Sequence, residues 1–220
     1  MTKPVFVAGG TGYLGRPLIA SLLARGHSVT ALTRTASASR LPEGVRRVIG
    51  NALDAASYVE QVPKGATFVH LVGVAHPGPG KAHEFQSIDL ASVRASLSAA
   101  RATGASHFIY VSVAQPAPVM RAYIAARMEA EDLIRASGLP ATLLRPWYVL
   151  GPGHLWPYLL LPFYWLAERL PPIRQTVLRL GLVSRLQMVA TLVQVVETPT
   201  RGVRIVDVSE IRSVSAVDSV

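Results

Sequence analysis

Cysteine is absent from this chain of 220 residues. Disulfide frameworks, thiolate zinc sites, iron–sulfur clusters and a cysteine nucleophile are therefore excluded. Charged residues are also scarce at 16%, whereas half of the residues are hydrophobic. This composition excludes an intrinsically disordered chain and indicates a globular protein with a sizeable buried core.

Lysine and acidic residues are few, so the positive charge of the chain comes from arginine. The sequence has three Lys and 19 Arg against 13 Asp and Glu, which gives a formal net charge of +9. The arginines are scattered, and Arg46-Arg47 is the nearest approach to a cluster. We therefore do not predict nucleic-acid binding, but we do expect a basic surface that attracts anionic cofactors.

Metal-ligand spacing is missing as well. His70, His76, His83 and His154 do not share a spacing that would place ligands on one common element, so no metal site is predicted. His70 lies within an apolar run, and we expect it to be a hydrogen-bonded core residue rather than a ligand.

No hydrophobic run is long enough to span a membrane. The most apolar stretch, from Leu155 to Ala167, is interrupted by Pro157 and Pro162. It falls well short of the roughly 20 residues that a membrane helix needs. A signal peptide is not recognisable either, because Met1-Thr2-Lys3 leads straight into an apolar strand pattern. We therefore expect a cytoplasmic location.

Short apolar runs rich in β-formers alternate with helical stretches as far as Pro146. Strands are predicted at Val5 to Ala8, Ser28 to Thr33, Val45 to Ile49, Thr67 to Val72, His107 to Val111 and Ala141 to Leu144. Helices are predicted at Gly12 to Arg25, Ala55 to Gln61 behind an Asp54 cap, His83 to Ala102 and Val119 to Ser137. This alternation predicts an α/β fold of the Rossmann type, a doubly wound parallel sheet with helices on both faces.

The alternation stops after Pro146, with a helix predicted from Gln187 to Glu197 and a last strand from Val203 to Val208. We predict a dinucleotide-binding domain over residues 1–150 and a small C-terminal lobe over residues 151–220, packed on it as one unit. The apolar stretch fits three roles: core of this lobe, a lid over an apolar substrate pocket, or a peripheral membrane element, which we do not favour. Because the chain leaves the sixth strand beside the ligand crevice, we expect residues 155–170 to form a lid.

A glycine-rich turn follows the first predicted strand. It reads Gly9-Gly10-Thr11-Gly12-Tyr13-Leu14-Gly15, and a helical pattern begins directly after it. Glycines let the backbone approach a pyrophosphate without a Cβ collision, and a helix start offers free N–H groups and a positive dipole end. A tight turn alone would need only one or two glycines. The turn therefore predicts a nucleotide-binding site.

This loop resembles the cofactor loop of the short-chain dehydrogenase/reductase superfamily, in its extended and atypical branches. The likeness continues in His70-Leu71-Val72-Gly73, in Tyr110-Val111-Ser112, and from Leu144-Arg145-Pro146 to Gly151-Pro152-Gly153. The chain looks most like the atypical NAD(P)H-binding group described as epimerase/dehydratase-like or NmrA-like. The resemblance implies a nicotinamide cofactor and oxidoreductase chemistry.

The choice of cofactor is predicted from the charge at the end of the second strand. Arg34 stands there, and no Asp or Glu occurs between Met1 and Arg40. An acidic residue would bind the ribose hydroxyls, whereas Arg can clamp a 2′-phosphate. We therefore expect NADP, with NAD as the alternative. A solvated surface charge is the alternative role for Arg34, and Arg40 and Arg16 are lesser candidates for the 2′-phosphate contact.

The resemblance implies further cofactor contacts. Asn51 stands where the family usually has an Asp at the adenine, and its amide oxygen can accept the same hydrogen bond. The remaining implied contacts are Ala52 beside Asn51, and Leu71, Val72, Gly73 and Pro146 toward the nicotinamide.

The catalytic signature of the superfamily is a Tyr followed four residues later by a Lys, with a Ser on the fifth strand. Here Tyr123 and Arg127 have that spacing, and Ser112 ends the strand before them. The resemblance implies that Tyr123 donates a proton and Ser112 holds a substrate carbonyl. Arg127 shares a helical face with Tyr123 and can favour its phenolate form, but unlike Lys it cannot pass on a proton. The alternative is a half-buried tyrosine beside a surface arginine.

We therefore expect an NADP-preferring oxidoreductase that acts on a small apolar carbonyl or quinone-like compound. The alternative function is a non-catalytic NAD(P)H-binding sensor or assembly factor, because the catalytic pair lacks its lysine.

Overall fold

The computed structural model describes residues 4–74, 78–116, 120–152 and 180–214. Its main feature is a sheet of seven parallel strands, and two further short strands form a separate sheet. In chain order the strands are β1 Val5–Ala8, β2 Val29–Thr33, β3 Arg46–Ile49, β4 Thr67–His70, β5 His107–Val111, β6 Ala141–Leu144, β7 Tyr148–Leu150, β8 Leu182–Ser184 and β9 Val203–Val206. The predicted Rossmann-type α/β fold is confirmed.

Helices connect these strands. In chain order they are α1 Gly15–Ala24, α2 Ala82–Glu84, α3 Ala91–Ala102, α4 Arg121–Ala136, α5 Arg185–Glu197 and α6 Val208–Ser213. A π-helical turn over Phe85–Leu90 joins α2 to α3. Among the described residues, no helix is both long and apolar enough to cross a membrane.

The order of strands in the large sheet is β3-β2-β1-β4-β5-β6-β9. β1 lies between β2 and β4, so that Val5 pairs with Val29 on one side and with Thr67 on the other. The chain runs outward from β1 in one direction and then resumes at β4 in the other. A reversal of this kind opens a ligand crevice beyond the carboxyl ends of the two strands.

Both faces of the sheet are covered, which explains why its central strands are apolar throughout. Side chains alternate along β1, so Val5 and Val7 join a cluster with α1 and α5, whereas Phe6 joins a cluster with α3 and α4. In the second cluster Phe6 contacts Phe68 with ring centroids 4.9 Å apart, and Phe68 stacks on Phe108 at 5.4 Å. The two clusters hold the sheet rigid beneath the crevice.

The predicted strands agree with the observed ones to within two residues at each end, and the fourth strand shows why a boundary moved. It was expected to reach Val72, but β4 ends at His70. His70 pairs with Ala8, the last residue of β1, and the Leu71 N–H makes the last contact with that strand by donating to the Ala8 carbonyl at 2.8 Å. The backbone of Leu71 and Val72 then packs against Gly9 in the turn after β1.

The helix predicted over Ala55 to Gln61 is wrong. The structure has two short 3₁₀ turns instead, over Ala55–Ser57 and Val59–Gln61. Asp54 does act as a cap, because its carboxylate accepts the Ala56 N–H at 3.1 Å. The buried Tyr58 separates the turns: its backbone leaves helical geometry at φ −146°, and its ring stacks on Phe6.

The described part of residues 151–220 packs on the sheet. β9 pairs in parallel with β6, and α5 packs against α1. α5 begins at Arg185, two residues before the predicted start, because Ser184 and Gln187 form a reciprocal capping box. The division into two domains at residue 150 stays a prediction. The proposed lid over residues 155–170 lies outside the described residues, as do His76, Gly153 and His154.

Candidate cofactor and active site

The glycine loop lies at the carboxyl end of β1 and is packed closely against its neighbours. Gly9 has φ +89°, and a Cβ there would lie 2.7 Å from the carbonyl carbon of Leu71. A Cβ on Gly15 would overlap the carbonyl oxygen of Gly9, which also accepts the Gly12 N–H at 3.0 Å. Side chains at these two positions would collide with the backbone of the segment after β4 and of the loop itself, so only glycine allows this tight turn at the start of α1.

The first turn of α1 carries no group that would repel an anion. Leu14 is the N-cap residue and provides no side-chain hydrogen bond, and the first turn contains Arg16 but no acidic residue. The first N–H groups of the helix and its positive dipole end are therefore not neutralised by a neighbouring carboxylate. Together with the tight glycine turn, this arrangement suits a pyrophosphate.

Two exposed polar side chains follow the next strands along the same edge. Arg34 comes directly after β2, and within the described part of the chain its guanidinium has no hydrogen bond or ion pair. Asn51 follows β3, and its side-chain oxygen accepts the Leu53 N–H at 3.1 Å. A second lone pair on that oxygen remains for another donor. Ala52 is half-buried beside it.

The segment after β4 links the glycine loop to the predicted catalytic pair. Its first residues, Leu71 and Val72, touch the position where a Cβ on Gly9 would stand. The next residue of the segment is Gly73, and a Cβ there would lie 2.7 Å from Nη2 of Arg127. The glycine loop and Arg127 therefore pack against the two ends of the short segment Leu71 to Gly73.

Arg127 is buried, which excludes the surface position that we considered for it. Only 7% of the residue is exposed. Its Nη1 donates to the Tyr110 hydroxyl and to the Val111 carbonyl, both at 3.0 Å, and its Nη2 donates to Asp89 at 3.2 Å. Within the described residues the buried Nε–H has no hydrogen-bond partner.

Tyr123 is half-buried and presents the face of its ring to Arg127. The guanidinium carbon lies 5.0 Å from the Tyr123 ring centroid and 5.5 Å from that of Tyr110, distances at which a cation attracts an aromatic face. Phe85 packs edge-on against Tyr123 at 5.2 Å. The predicted proximity of Tyr123 and Arg127 is thus present, as a cation–π contact.

Burial near Arg127 shifts the pKa values of two neighbouring side chains. Burial raises the pKa of Tyr110 to about 12, although the Arg127 charge opposes this shift. Burial also lowers the pKa of His70 to about 3, and the Arg127 charge adds to the effect. His70 Nδ1 lies 2.9 Å from the Ser96 hydroxyl, so it is the hydrogen-bonded core residue that we expected. Within the described residues, no group of three His, Asp or Glu could hold a metal ion.

Ser112 immediately follows β5, and its hydroxyl is engaged by a buried carboxylate. It donates to Glu131 at 2.6 Å. Glu131 lies on α4 eight residues after Tyr123, a rise of about 12 Å along a helix. The role predicted for Ser112 toward a substrate carbonyl stays a prediction. Pro146 is buried after β6, and its carbonyl accepts the Ala114 N–H at 2.9 Å.

Sequence reasoning missed Asp89 and Glu131 as members of this region, and did not give Tyr110 a role. Glu131 is nevertheless an acid in a chain with few acids, and it lies four residues from both Arg127 and Arg135 on a predicted helix. This pattern could have singled out Glu131. The π-helical turn that directs Asp89 inward has no comparable sequence signal.

Comparison with known proteins agrees with this geometry. Residues 9–152 match the family described as NAD(P)H-binding. The chain belongs to this NAD(P)H-binding family. The predicted NAD(P)H-binding family is thereby confirmed, the match is consistent with the resemblance to the atypical short-chain dehydrogenase/reductase group, and it begins at the first glycine of the loop.

The chain is similar to several reductases. A ceramide reductase of Caulobacter vibrioides is 28% identical over an alignment of length 212, and the match covers 94% of this chain and 65% of that protein. A 3-diazoavenalumate denitrifying reductase of a Streptomyces species is 31% identical over an alignment of length 175, and the match covers 68% of this chain and 57% of the relative. The chain thus spans less than two thirds of the length of either relative.

Among solved structures, the Bordetella bronchiseptica enzyme WbmH in complex with NAD+ superposes with a TM-score of 0.68 at 19% identity. The alignment covers 92% of this chain and 75% of WbmH. At this identity the likeness shows the fold alone.

Proposed function

We propose that this protein is an NADP-preferring reductase that acts on a small, rather apolar carbonyl or quinone-like compound. The names of the similar proteins support reductase chemistry, since both are reductases. The apolar character of the substrate is proposed from the aromatic surroundings of Tyr123, which include Phe85.

The residues of the crevice fit a nicotinamide dinucleotide. The proposal assigns the pyrophosphate to the glycine loop and the start of α1, where glycines permit the tight turn and the first helical turn has no acidic residue. Arg34 would hold the 2′-phosphate, and Asn51 with Ala52 the adenine. The segment Leu71, Val72 and Gly73 would line the nicotinamide side together with Pro146. When bound, the cofactor supplies a hydride.

Tyr123 is the proposed proton donor to the carbonyl oxygen. Arg127 lies against its ring and stabilises negative charge that develops on the phenol as the proton leaves. Arg127 does not itself exchange a proton, so the phenol must be reprotonated from solvent or from the substrate side. We expect slower catalysis than a lysine would give.

One observation carries the proposal. Arg127 closely approaches Gly73, on the same segment whose first residues pack against Gly9 of the cofactor loop. This contact supports the proposal, because hydride and proton delivery to a single carbonyl requires the proposed proton donor and the proposed cofactor site to lie close together.

Cofactor preference can be tested by fluorescence titration with NADPH and NADH. We expect NADPH to bind more tightly, and Arg34→Ala to weaken NADPH binding about tenfold or more while it leaves NADH binding unchanged. Arg101→Ala, an exposed arginine at the end of α3, is the matched control. Equal affinities in the wild type, or an Arg34→Ala variant that keeps its preference, would contradict the 2′-phosphate role.

Catalysis can be tested by NADPH oxidation against a panel of carbonyls and quinones. Tyr123→Phe should reduce turnover by about 100-fold or more, because general acid catalysis is lost. Tyr58→Phe removes a hydroxyl from a buried tyrosine that packs on Phe6, and should leave turnover unchanged. Turnover that survives in Tyr123→Phe would refute the assignment of the proton donor.

A second function, a non-catalytic NAD(P)H sensor or assembly factor, is favoured by one feature. Arg127 is tied to Asp89, Tyr110 and the Val111 carbonyl, and arginine cannot relay protons. A sensor would bind NADPH tightly without oxidising it against any member of the substrate panel. Wild-type turnover that depends on Tyr123 would eliminate this alternative.

A further inference from the structure

Asp89 connects two parts of the crevice through one carboxylate. Its Oδ1 accepts the backbone N–H of Val74 at 2.6 Å, and its Oδ2 accepts Nη2 of Arg127 at 3.2 Å. Val74 belongs to the segment after β4, whereas Arg127 lies behind the ring of Tyr123. The two oxygens of one side chain thus fix both the proposed nicotinamide side and the proposed proton donor.

The ion pair between Asp89 and Arg127 is almost completely buried, with side chains 2% and 8% exposed. A buried charge that loses its partner is strongly unfavourable, so each residue holds the other in place. Asp89 reaches this position from the π-helical turn Phe85–Leu90. π-turns inside helices occur frequently at functional sites.

Two further contacts make the connection tight. Gly73 has no side chain, and Nη2 of Arg127 occupies the space next to its Cα, so the segment cannot shift toward Arg127 without a collision. Phe85, at the start of the same π-turn, packs against Tyr123. A displacement of this turn would therefore move both the backbone at Val74 and the ring of Tyr123.

We propose that Asp89 is a positioning residue that couples the segment Gly73–Val74 to Arg127 and, through Arg127, to Tyr123. The inference rests on the proposed function for the identity of the two ends. Coupling between sites is reciprocal, so a cofactor that orders Gly73–Val74 also orders Tyr123 for proton transfer. Loss of the carboxylate then weakens cofactor binding and catalysis together.

The first test compares Asp89→Asn with the wild type by amide hydrogen exchange of cofactor-free protein and by NADPH fluorescence titration. The asparagine amide has one oxygen for two donors, and the buried Arg127 charge takes it, which leaves the NH2 group facing the Val74 N–H. We therefore expect faster exchange at the Val74 amide and a Kd for NADPH raised about fivefold or more. Glu129→Gln, which removes an exposed carboxylate on α4 paired with Arg94, is the control and should change neither quantity. A folded Asp89→Asn protein with unchanged exchange and unchanged Kd would overturn the proposal.

The second test asks whether Asp89 acts through Tyr123. Asp89→Asn should lower kcat about tenfold or more in the wild-type background and have no further effect on kcat in Tyr123→Phe. Equal losses in both backgrounds would show that Asp89 has only a general structural role. If the wild type binds NADPH but oxidises none of it, the proposed reductase function fails, while the exchange and affinity measurements still decide the coupling of Asp89 to Val74.

Where Asp89→Asn does not fold, the double variant Asp89→Leu with Arg127→Met removes both charges from the interior. It should restore folding, and it still lacks the acceptor for the Val74 N–H. We expect it to keep the rapid exchange at Val74 and the weakened NADPH binding. Wild-type affinity for NADPH in this variant would contradict the proposal.

Discussion

Arg127 and Glu131 are two buried charges of opposite sign that lie one helical turn apart on α4, and their surroundings differ. Glu131 accepts five hydrogen bonds from four side chains, Ser112, Gln115, Arg135 and Arg145, so both of its oxygens are filled. Arg127 keeps an Nε–H without a partner among the described residues, and two aromatic faces cover it.

The difference separates an anchor from a site. Glu131 ties α4 to the residues that follow β5 and β6, and nothing about it requires a ligand. Arg127 touches the backbone of Gly73 at the crevice and retains donor capacity that its neighbours do not satisfy. Buried polar groups without partners are uncommon in proteins and often mark a functional position.

The largest loss of stability is expected when Glu131, which ties α4 to its neighbours, is substituted. Glu131→Ala leaves Ser112, Gln115 and Arg145 without their shared acceptor, and should lower the free energy of unfolding by about 3 kcal/mol, because the arginines left behind are partly exposed and can be solvated. Glu129→Ala, which loses an exposed pair with Arg94, should cost at most about 1 kcal/mol. Denaturant unfolding measures both. Equal losses in the two variants would show that the Glu131 cluster does not anchor the helix.

A smaller loss of stability is expected from Arg127→Met, about 2 kcal/mol. Asp89 can escape its unpaired charge by taking up a proton, because burial already raises its pKa. A folded-state pKa above the unfolded value stabilises at low pH. The stability of the variant relative to the wild type should therefore be highest in acid and fall as the pH rises through the Asp89 pKa. Unfolding curves at several pH values measure this, and a pH-independent difference would contradict it.

His70 gives a pH-dependent test close to Arg127. Its folded pKa of about 3 lies below the model-compound value of 6.5, so between these values the unfolded chain binds one more proton. Stability therefore falls as the pH drops below 6.5, with a slope of up to about 1.4 kcal/mol per pH unit from this residue. His70→Gln should flatten the slope, and His83→Gln, at an exposed position, should not. An unchanged slope in His70→Gln would show that His70 is charged in the fold.

The smallest effect sharpens the assignment of Ser112. Ser112→Ala removes one of the five hydrogen bonds to Glu131, and should lower the free energy of unfolding by about 1 kcal/mol. NADPH oxidation by the same variant measures any further role. A turnover loss of about 100-fold would support the role predicted from the sequence, in which Ser112 holds the substrate carbonyl. The loss of one donor to a developing oxyanion has an effect of that size.

The sequence predicted the sheet well because its central strands are buried on both faces. Continuous apolar runs such as Val5–Ala8 leave little choice of element, and the glycine turn marks the first crossover. The segment over Ala55–Gln61 was mispredicted because a tertiary contact, the stacking of Tyr58 on Phe6, overrides the local helical pattern.

The candidate site was predicted only where spacing along the chain reports position in space. The glycine loop and the pair Tyr123 and Arg127 are local patterns of this kind. Asp89 lies 38 residues from Arg127, and the packing of the π-helical turn against α4 brings them together. Sequence spacing cannot show such a pairing, and it also cannot show that Ser112 is held by Glu131.

A crystal structure with NADPH bound tests the central claim most directly. We predict the pyrophosphate on the loop Gly9–Gly15, the 2′-phosphate on Arg34, and the nicotinamide beside Gly73. The Tyr123 hydroxyl should then lie within about 3 Å of the position that the oxygen of a substrate carbonyl takes when the substrate stacks on the nicotinamide ring. A nicotinamide ring that is separated from Tyr123 by protein atoms, with no room for a carbonyl between them, would contradict the account.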